Sequence, residues 1–432
     1  MQILGDRASA RVTAIPHFAS LKHHGYRNTW AANLWSGAAM WTFIVAVSWL
    51  VLERSDSSGW VGVVTFSAML PFLLASPIAG LLADRVDRRH LAVVALAGGV
   101  VVMSAVTILT ITDAIEIWHL AALVFINGIL RSMLEPAVQS LIPNQVPRED
   151  LLNAITLNSA TRHGGRFFGL LVSAPLLAVD SIGISGVLVL CVAFQVASSY
   201  QMFVSRTVSK GESAPEQGLA RSFVDGLVYI YTNRTIAIFI LLVAFHCALV
   251  MSFESILPVF SREVLGAKDG STLGFLIMAY GIGSFVASIL IAGMRSEKNK
   301  GRWLLWSGLL SGVTPAMLGF SPVLPLAIVA AAGMGASQSV FMALTNTYVQ
   351  TIVPDRLRGR ISSLYLLHAG GVMAFANLGY GFLADVFSAP PILIVTGTMF
   401  VAVVLGMALS QADLRRVYRT GSVTPAQVGA RA

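Results

Sequence analysis

Gly80-Leu81-Leu82-Ala83-Asp84-Arg85-Val86-Asp87-Arg88-Arg89 sets five charges within six residues, between two long apolar runs. Each run is about 20 residues, the length that spans a bilayer as a helix. Two such helices joined by so short a turn must lie antiparallel, and the charged turn must sit at a membrane face. Asp84 falls near a helix end, where it can pair with arginines or cap a neighbouring helix N-terminus. Gly80 lets two helices approach closely. The plain alternative is a basic loop with no role beyond solvation.

The rest of the chain agrees with a membrane protein. Of 432 residues 56% are hydrophobic and 12% are charged, against about 25% charged in soluble domains. The net charge of +8 does not point to nucleic acid, because the basic residues fall between apolar runs. The anionic inner leaflet is the partner that placement suits. Cys191 and Cys247 lie within apolar runs and form neither a disulfide framework nor a metal-ligand spacing. Residues 1–29 are polar and basic, and no cleavable signal peptide is evident.

Twelve spans are expected, at roughly 30–53, 59–83, 89–111, 118–141, 151–178, 183–205, 235–261, 270–294, 303–320, 323–350, 358–385 and 389–411. With both termini in the cytoplasm, inside segments hold 23 of the 29 Lys and Arg residues. Outside loops hold only Arg54, Arg262 and Lys268. That bias fixes the orientation. The expected organisation is a cytoplasmic tail (1–29), a six-helix bundle (30–205), a cytoplasmic linker (206–234), a second six-helix bundle (235–411) and a C-terminal tail (412–432). Within the linker, Ser222–Tyr231 has apolar residues at helical spacing and reads as an amphipathic helix on the inner surface.

The two halves look like repeats. Ile78-Ala79-Gly80 ends span 2 and Ile291-Ala292-Gly293 ends span 8. Asp84, Arg85 and Arg89 follow the first glycine at offsets that Glu297, Lys298 and Arg302 repeat after the second. Val146-Pro147 and Val353-Pro354 form another matched pair. Such duplication fits two bundles related by an axis along the membrane normal.

The pattern Gly80-x-x-x-Asp84-Arg85-x-Asp87-Arg88-Arg89 resembles the signature loop of the major facilitator superfamily, with Asp87 where that family usually has glycine. Asn144–Asn153, Asp225-Gly226-Leu227 and Val353–Arg360 look like its branch of bacterial drug, macrolide and enterobactin-type siderophore exporters. The resemblance implies an all-α membrane protein of twelve transmembrane helices in two six-helix repeats. It also implies proton-coupled export by alternating access, with Gly80, Asp84, Arg85, Arg88, Arg89, Glu297, Lys298 and Arg302 as conformational latches. Two family features are missing. Val124 stands where drug/proton antiporters often carry an arginine, and Leu170 stands where their span 5 often has proline.

Ionisable groups at membrane depth are costly and face a cavity or a partner. Glu254 and His246 in span 7 and Glu135 in span 4 are candidates for proton coupling. A buried carboxylate can titrate in the working range. The alternative for Glu254 is pairing with an arginine or capping a broken helix, and for His246 a simple hydrogen bond across helices. Arg131 lies four residues before Glu135, so the two share a helix face and can pair. Arg162, His163 and Arg166 lie in the inner part of span 5 and either snorkel to headgroups or face a vestibule. Asn33, Trp41, Arg131, Arg166, Gln338, Asn346 and His368 are candidates to line a substrate cavity, with Asn377 beside them; the alternative is that most such polar groups merely join helices.

No Walker sequence, nucleophile elbow or metal cluster appears, so neither an enzyme nor direct use of ATP is expected. No cofactor and no metal are expected. The expected partners are a small-molecule substrate, protons and membrane lipids, with the chain a monomer in a bacterial inner membrane. An importer or a lysophospholipid-type lipid carrier on the same fold is the alternative function.

Overall fold

The computed structural model describes residues 16–205, 219–292, 294, 296–354 and 357–422. Side chains are described there except at 16–18, 75–85, 152, 159, 160, 162, 163, 219–223, 292, 358 and 359. Gly80, Asp84 and Arg85 therefore lie outside the described side chains, as do Arg162 and His163.

Among the described residues the elements are helical. A 3₁₀ helix at Pro16–Lys22 leads into α1 (His24–Ser55), followed by α2 (Ser58–Arg85), α3 (Arg88–Ile111), α4 (Ile117–Leu141), α5 (Arg148–Leu177) and α6 (Gly183–Val204). After the linker come α7 (Leu219–Thr232), α8 (Arg234–His246), a π-helical turn (Cys247–Met251) and α9 (Leu257–Glu263). Then follow α10 (Ser271–Ala292), α11 (Glu297–Gly319), α12 (Leu324–Ile352), α13 (Arg358–Phe387), α14 (Ala389–Ser410) and α15 (Ala412–Thr420). Among the described residues nine stretches are long and apolar enough to cross a membrane, and two shorter apolar ones add to them. Adding α11, which is not among those stretches, and counting α8 to α9 as one interrupted span, the helices number the expected twelve.

Two compact units divide the chain. One comprises 1–54, 70–215 and 269–274, and the other 55–69, 216–268 and 275–432. The division differs from the six-and-six reading by assigning the first turns of α2 to the second unit and the first turn of α10 to the first unit.

Local chemistry sets the helix ends. Only Val86 and Asp87 separate α2 from α3, because α2 stays helical through Arg85. Asp87 is the N-cap of α3, and its carboxylate accepts from the His90 amide at 2.8 Å. The residue that departs from the family glycine thus satisfies one of the helix's orphan amides. Ser296 caps α11 in the same way, accepting from Asn299 N. Glu297 stands in that helix's first turn, the favourable place for an acid.

In the first unit, Leu91, Ala95 and Leu96 of α3 pack with Leu134, Ala137 and Leu141 of α4 and Met202 of α6. A smaller cluster joins Leu21 and Tyr26 to Ile142, Val146 and Ala154. The core of the second unit gathers Ile236, Phe239, Leu304, Phe341, Tyr348 and Phe400.

The expected tails are partly built into these cores. Tyr26 is wholly buried and α1 begins at His24, well before residue 30. At the other end, Leu414, Val417 and Tyr418 of α15 join the second unit's core. Their i, i+3, i+4 spacing puts all three on one helix face. In α7, Gly226 lies against Leu364 of α13 and Ile230 is buried, while Val224, Val228 and Tyr231 form an exposed stripe.

Candidate functional site

The expected span 235–261 is not one helix. After the π turn, Ser252 leaves helical geometry at φ −89° and ψ 46°, and the chain stays irregular to Ile256. Leu257 restarts the helix with Pro258 in its first turn, where a missing amide hydrogen costs nothing. Such a break frees backbone groups that hydrocarbon cannot satisfy, and it persists only where protein or a wet cavity replaces the lost bonds.

Side chains of α10, α12 and α13 satisfy it. Gln338 Nε2 donates to Val250 O at 2.8 Å, and Gln338 Oε1 accepts from Tyr280 OH at 2.9 Å. Asn377 Oδ1 accepts from Ser255 N at 3.2 Å, while its Nδ2 donates to Met373 O at 3.1 Å. Ser252 Oγ reaches the Cys247 and Met373 carbonyl oxygens at 2.7 and 3.2 Å. Gln338 and Asn377 are wholly buried. Glu254 stands in the middle of this propped segment and is half-buried.

His246, the last residue of α8, is enclosed. Its ring lies 4.5 Å from that of Phe341 and 5.1 Å from that of Phe400, it has no exposed surface, and neither nitrogen has a hydrogen-bond partner. The cross-helix hydrogen bond considered for it is not made.

In the first unit the polar candidates line the seam between α1 and α5. Asn33 Nδ2 donates to Asn158 Oδ1 at 2.7 Å. One turn further, Gly37 and Gly165 meet backbone to backbone, and Gly169 faces Ala38. The Arg166 guanidinium lies 3.3 Å above the Trp41 ring, and Thr42 Oγ1 donates to Ser173 Oγ at 3.2 Å. Small residues bring the helices together, and the larger pairs flank the contact. A guanidinium stacked on indole keeps its charge while shedding part of its water.

The same seam continues at the N-terminal end of both helices. Tyr26 OH donates to Ala154 O at 2.7 Å, and Ser20 N donates to Asn153 Oδ1 at 3.0 Å. Asp150 binds His23 at 2.7 Å and Lys22 at 2.8 Å. Hydrogen bonds from His23 and then Lys22 hold the Asp150 carboxyl below its ordinary value. The bond to Asp150 correspondingly raises the Lys22 ammonium.

The remaining candidates are scattered. Arg131 and Glu135 approach to 3.7 Å on one face of α4. Arg88 donates to Ser140 O at 3.0 Å, at the end of α4. Arg89 donates to Phe203 O and lies 5.7 Å from the Phe203 ring. These two arginines tie the start of α3 to the C-terminal ends of α4 and α6, where carbonyl oxygens favour cations. Glu297 pairs with Lys300 at 2.7 Å, whereas Lys298 and Arg302 are exposed. Asn346 is exposed and lies 3.5 Å from Gln350 Nε2. His368 Nδ1 lies 2.7 Å from Leu364 O and its Nε2 lies 3.0 Å from Tyr231 OH, so it fastens α13 to the linker helix α7.

Asp385 was not expected as a functional residue. Its carboxylate accepts from Ser58 N and Ser57 Oγ at 2.6 Å each, and from Gly59 N at 3.0 Å. It therefore caps the N-terminus of α2 from α13. A sequence gives no signal for a cap supplied from so far along the chain. Among the described residues no group of three or more His, Cys, Asp or Glu converges to hold a metal ion.

Comparison with known proteins gives the frame for this geometry. A family model described as transmembrane secretion effector matches residues 15–422. The chain is 25% identical over 360 residues to the multidrug efflux pump Tap of Mycolicibacterium fortuitum, covering 81% of this chain and 87% of that protein. It is 22% identical over 349 residues to the staphyloferrin A transporter of Staphylococcus aureus, covering 80% and 86%. A crystal structure of a POT family transporter superposes with a TM-score of 0.71 at 11% identity, over 90% of this chain and 96% of that one.

Proposed function

Since the chain belongs to the transmembrane secretion effector family of major facilitator transporters, we propose that it exports small amphipathic molecules in exchange for protons, by alternating access. It is a multi-pass membrane transporter and not an enzyme. The proposal adds direction, coupling ion and substrate class. Similarity to a multidrug efflux pump supports the direction, and similarity to that pump and to the staphyloferrin A transporter supports the substrate class.

The observation that carries the coupling is Glu254 in the propped break of span 7. A proton carrier must hold an ionisable group where solvent and substrate reach it and the hydrocarbon does not. Unwound backbone near the midplane is where transporters of other folds bind coupling ions. Gln338 and Asn377 bond to backbone groups on either side of Glu254, which supports a break that persists where the carboxylate stands. Arg166 on Trp41 supplies, in the first unit, a charged and aromatic surface suited to an amphipathic substrate. The same reading places a monomer in a bacterial inner membrane with both termini in the cytoplasm.

The test is substrate accumulation in cells lacking their own efflux pumps, across dyes, macrolides and siderophores, with and without a protonophore. Wild type should lower accumulation of at least one compound. The protonophore and Glu254→Gln should each abolish that effect, at normal membrane expression. Higher accumulation in wild type would make the chain an importer. Export that survives Glu254→Gln would remove Glu254 from the coupling.

A further inference from the structure

α15 follows α14 after a single residue, Gln411, whose extended backbone turns the chain at φ −104° and ψ 107°. α14 is a 22-residue apolar span, so α15 begins where the hydrocarbon ends. Its buried stripe, Leu414, Val417 and Tyr418, holds it against the second unit. The opposite face carries Arg415, Arg416 and Arg419, all exposed.

The neighbours add charge of the same sign. Val417 O and Gly421 lie against Gly301 in the first turns of α11, which bring the exposed Lys298 and Arg302 alongside. At the other end, Arg234 donates to Gln411 Oε1 at 3.1 Å. Among the described residues, Asp413 on the same helix accepts from Thr235 Oγ1 at 3.5 Å, and Glu297 of α11 pairs with Lys300 at 2.7 Å. Arg415 also donates to Leu409 O, which holds it at the base of α14.

We propose that this arginine face of α15 binds the headgroups of anionic phospholipids. The occupant follows from position and charge together. A short helix anchored by its apolar stripe at the end of a span holds its other face at headgroup depth. Three exposed arginines, with the exposed Lys298 and Arg302 alongside, complement phosphodiesters. Arginine also matches phosphate oxygens in a planar, bidentate way that lysine does not. The inference concerns lipid binding alone and stands or falls separately from the transport reading.

Native mass spectrometry of the full chain in detergent tests it, with phosphatidylglycerol or phosphatidylcholine titrated in. Wild type should retain phosphatidylglycerol in preference. Each arginine near a charged surface is worth about a fivefold change in retention. Arg415→Gln/Arg416→Gln/Arg419→Gln together should weaken retention tenfold or more, while Arg148→Gln, at the exposed start of α5, should not. If the triple variant does not fold, Arg419→Gln alone should show the fivefold change. Raising the salt to about 1 M should also erase the preference. Equal retention of the two lipids by wild type would overturn the proposal. So would an unchanged preference in the triple variant, or displacement by equimolar inorganic phosphate, which would mark a free-phosphate site.

Discussion

Gln338 donates from Nε2 to the carbonyl oxygen of Val250 at 2.8 Å, so a residue of α12 completes the backbone of a π turn 88 positions earlier in the chain. Gln338→Leu keeps the volume and leaves Val250 O and Tyr280 OH without this partner. Hydrogen bonds between membrane helices average about 0.6 kcal/mol and reach about 1.7. The expected loss is about 1–3 kcal/mol, read as a lower melting temperature in detergent. Tyr280→Phe removes one bond only and should cost less. If Gln338→Leu melts with wild type, the glutamine does not hold the break.

Gly169 and Gly164 stand five residues apart on α5 and differ in what they face. A Cβ on Gly169 would lie 2.6 Å from Ala38 O and 2.8 Å from Ala38 Cα, both backbone atoms that cannot step aside. Gly169→Val should force α1 and α5 apart and remove the monodisperse peak in size-exclusion chromatography. A Cβ on Gly164 meets nothing within 4 Å. Gly164→Ala should leave the peak intact and can gain about 0.5–1 kcal/mol of helix propensity.

Arg166→Lys keeps the charge and discards the planar fork. The stack on Trp41 should weaken by roughly 0.5–2 kcal/mol. Where the stacked pair meets substrate, KM should rise more than the maximal rate falls. Transport measured against substrate concentration separates the two, and a fall in rate at constant KM would place the pair outside the binding surface.

The docking of the N-terminal segment should depend on pH at both extremes. Asp150 titrates below its ordinary value, 3.8, so its contribution is complete above that value and disappears as pH falls through the lowered one. Lys22 titrates above its ordinary value, 10.5, so its contribution is complete below that and disappears as pH rises through the raised one. The Ser20 amide, which donates to Asn153, reports the docking through its hydrogen-exchange protection. Asp150→Asn should lose protection already at neutral pH. Protection equal to wild type in that variant would mean that the ion pairs do not hold the segment.

Span number is legible because it follows from where hydrocarbon must stop. The break in span 7 was less so. Residues 235–261 read as one apolar run, and the polar group Ser252, Glu254 and Ser255 ahead of Pro258 was its only trace. Arg166 and Trp41 were singled out separately, and the structure stacks them, a pairing that no spacing within either helix encodes. His368 reads from its span alone as either a cavity residue or a helix joiner, and the linker helix supplies Tyr231 as its contact. Residues 412–432 read as a tail, yet Leu414, Val417 and Tyr418 carry a helical period that the structure uses as the buried stripe of α15.

Asp385 and Ser58 are 327 residues apart, yet one caps the helix that the other begins. During synthesis, α2 enters the bilayer long before its cap exists. At about 5–20 residues per second, α13 follows roughly 16–65 s later. Through that interval the amides of Ser58 and Gly59 must rely on water or lipid headgroups. A ribosome that stalled between the two helices would leave a nascent chain whose second helix is threaded but unfastened, a ready substrate for membrane quality control.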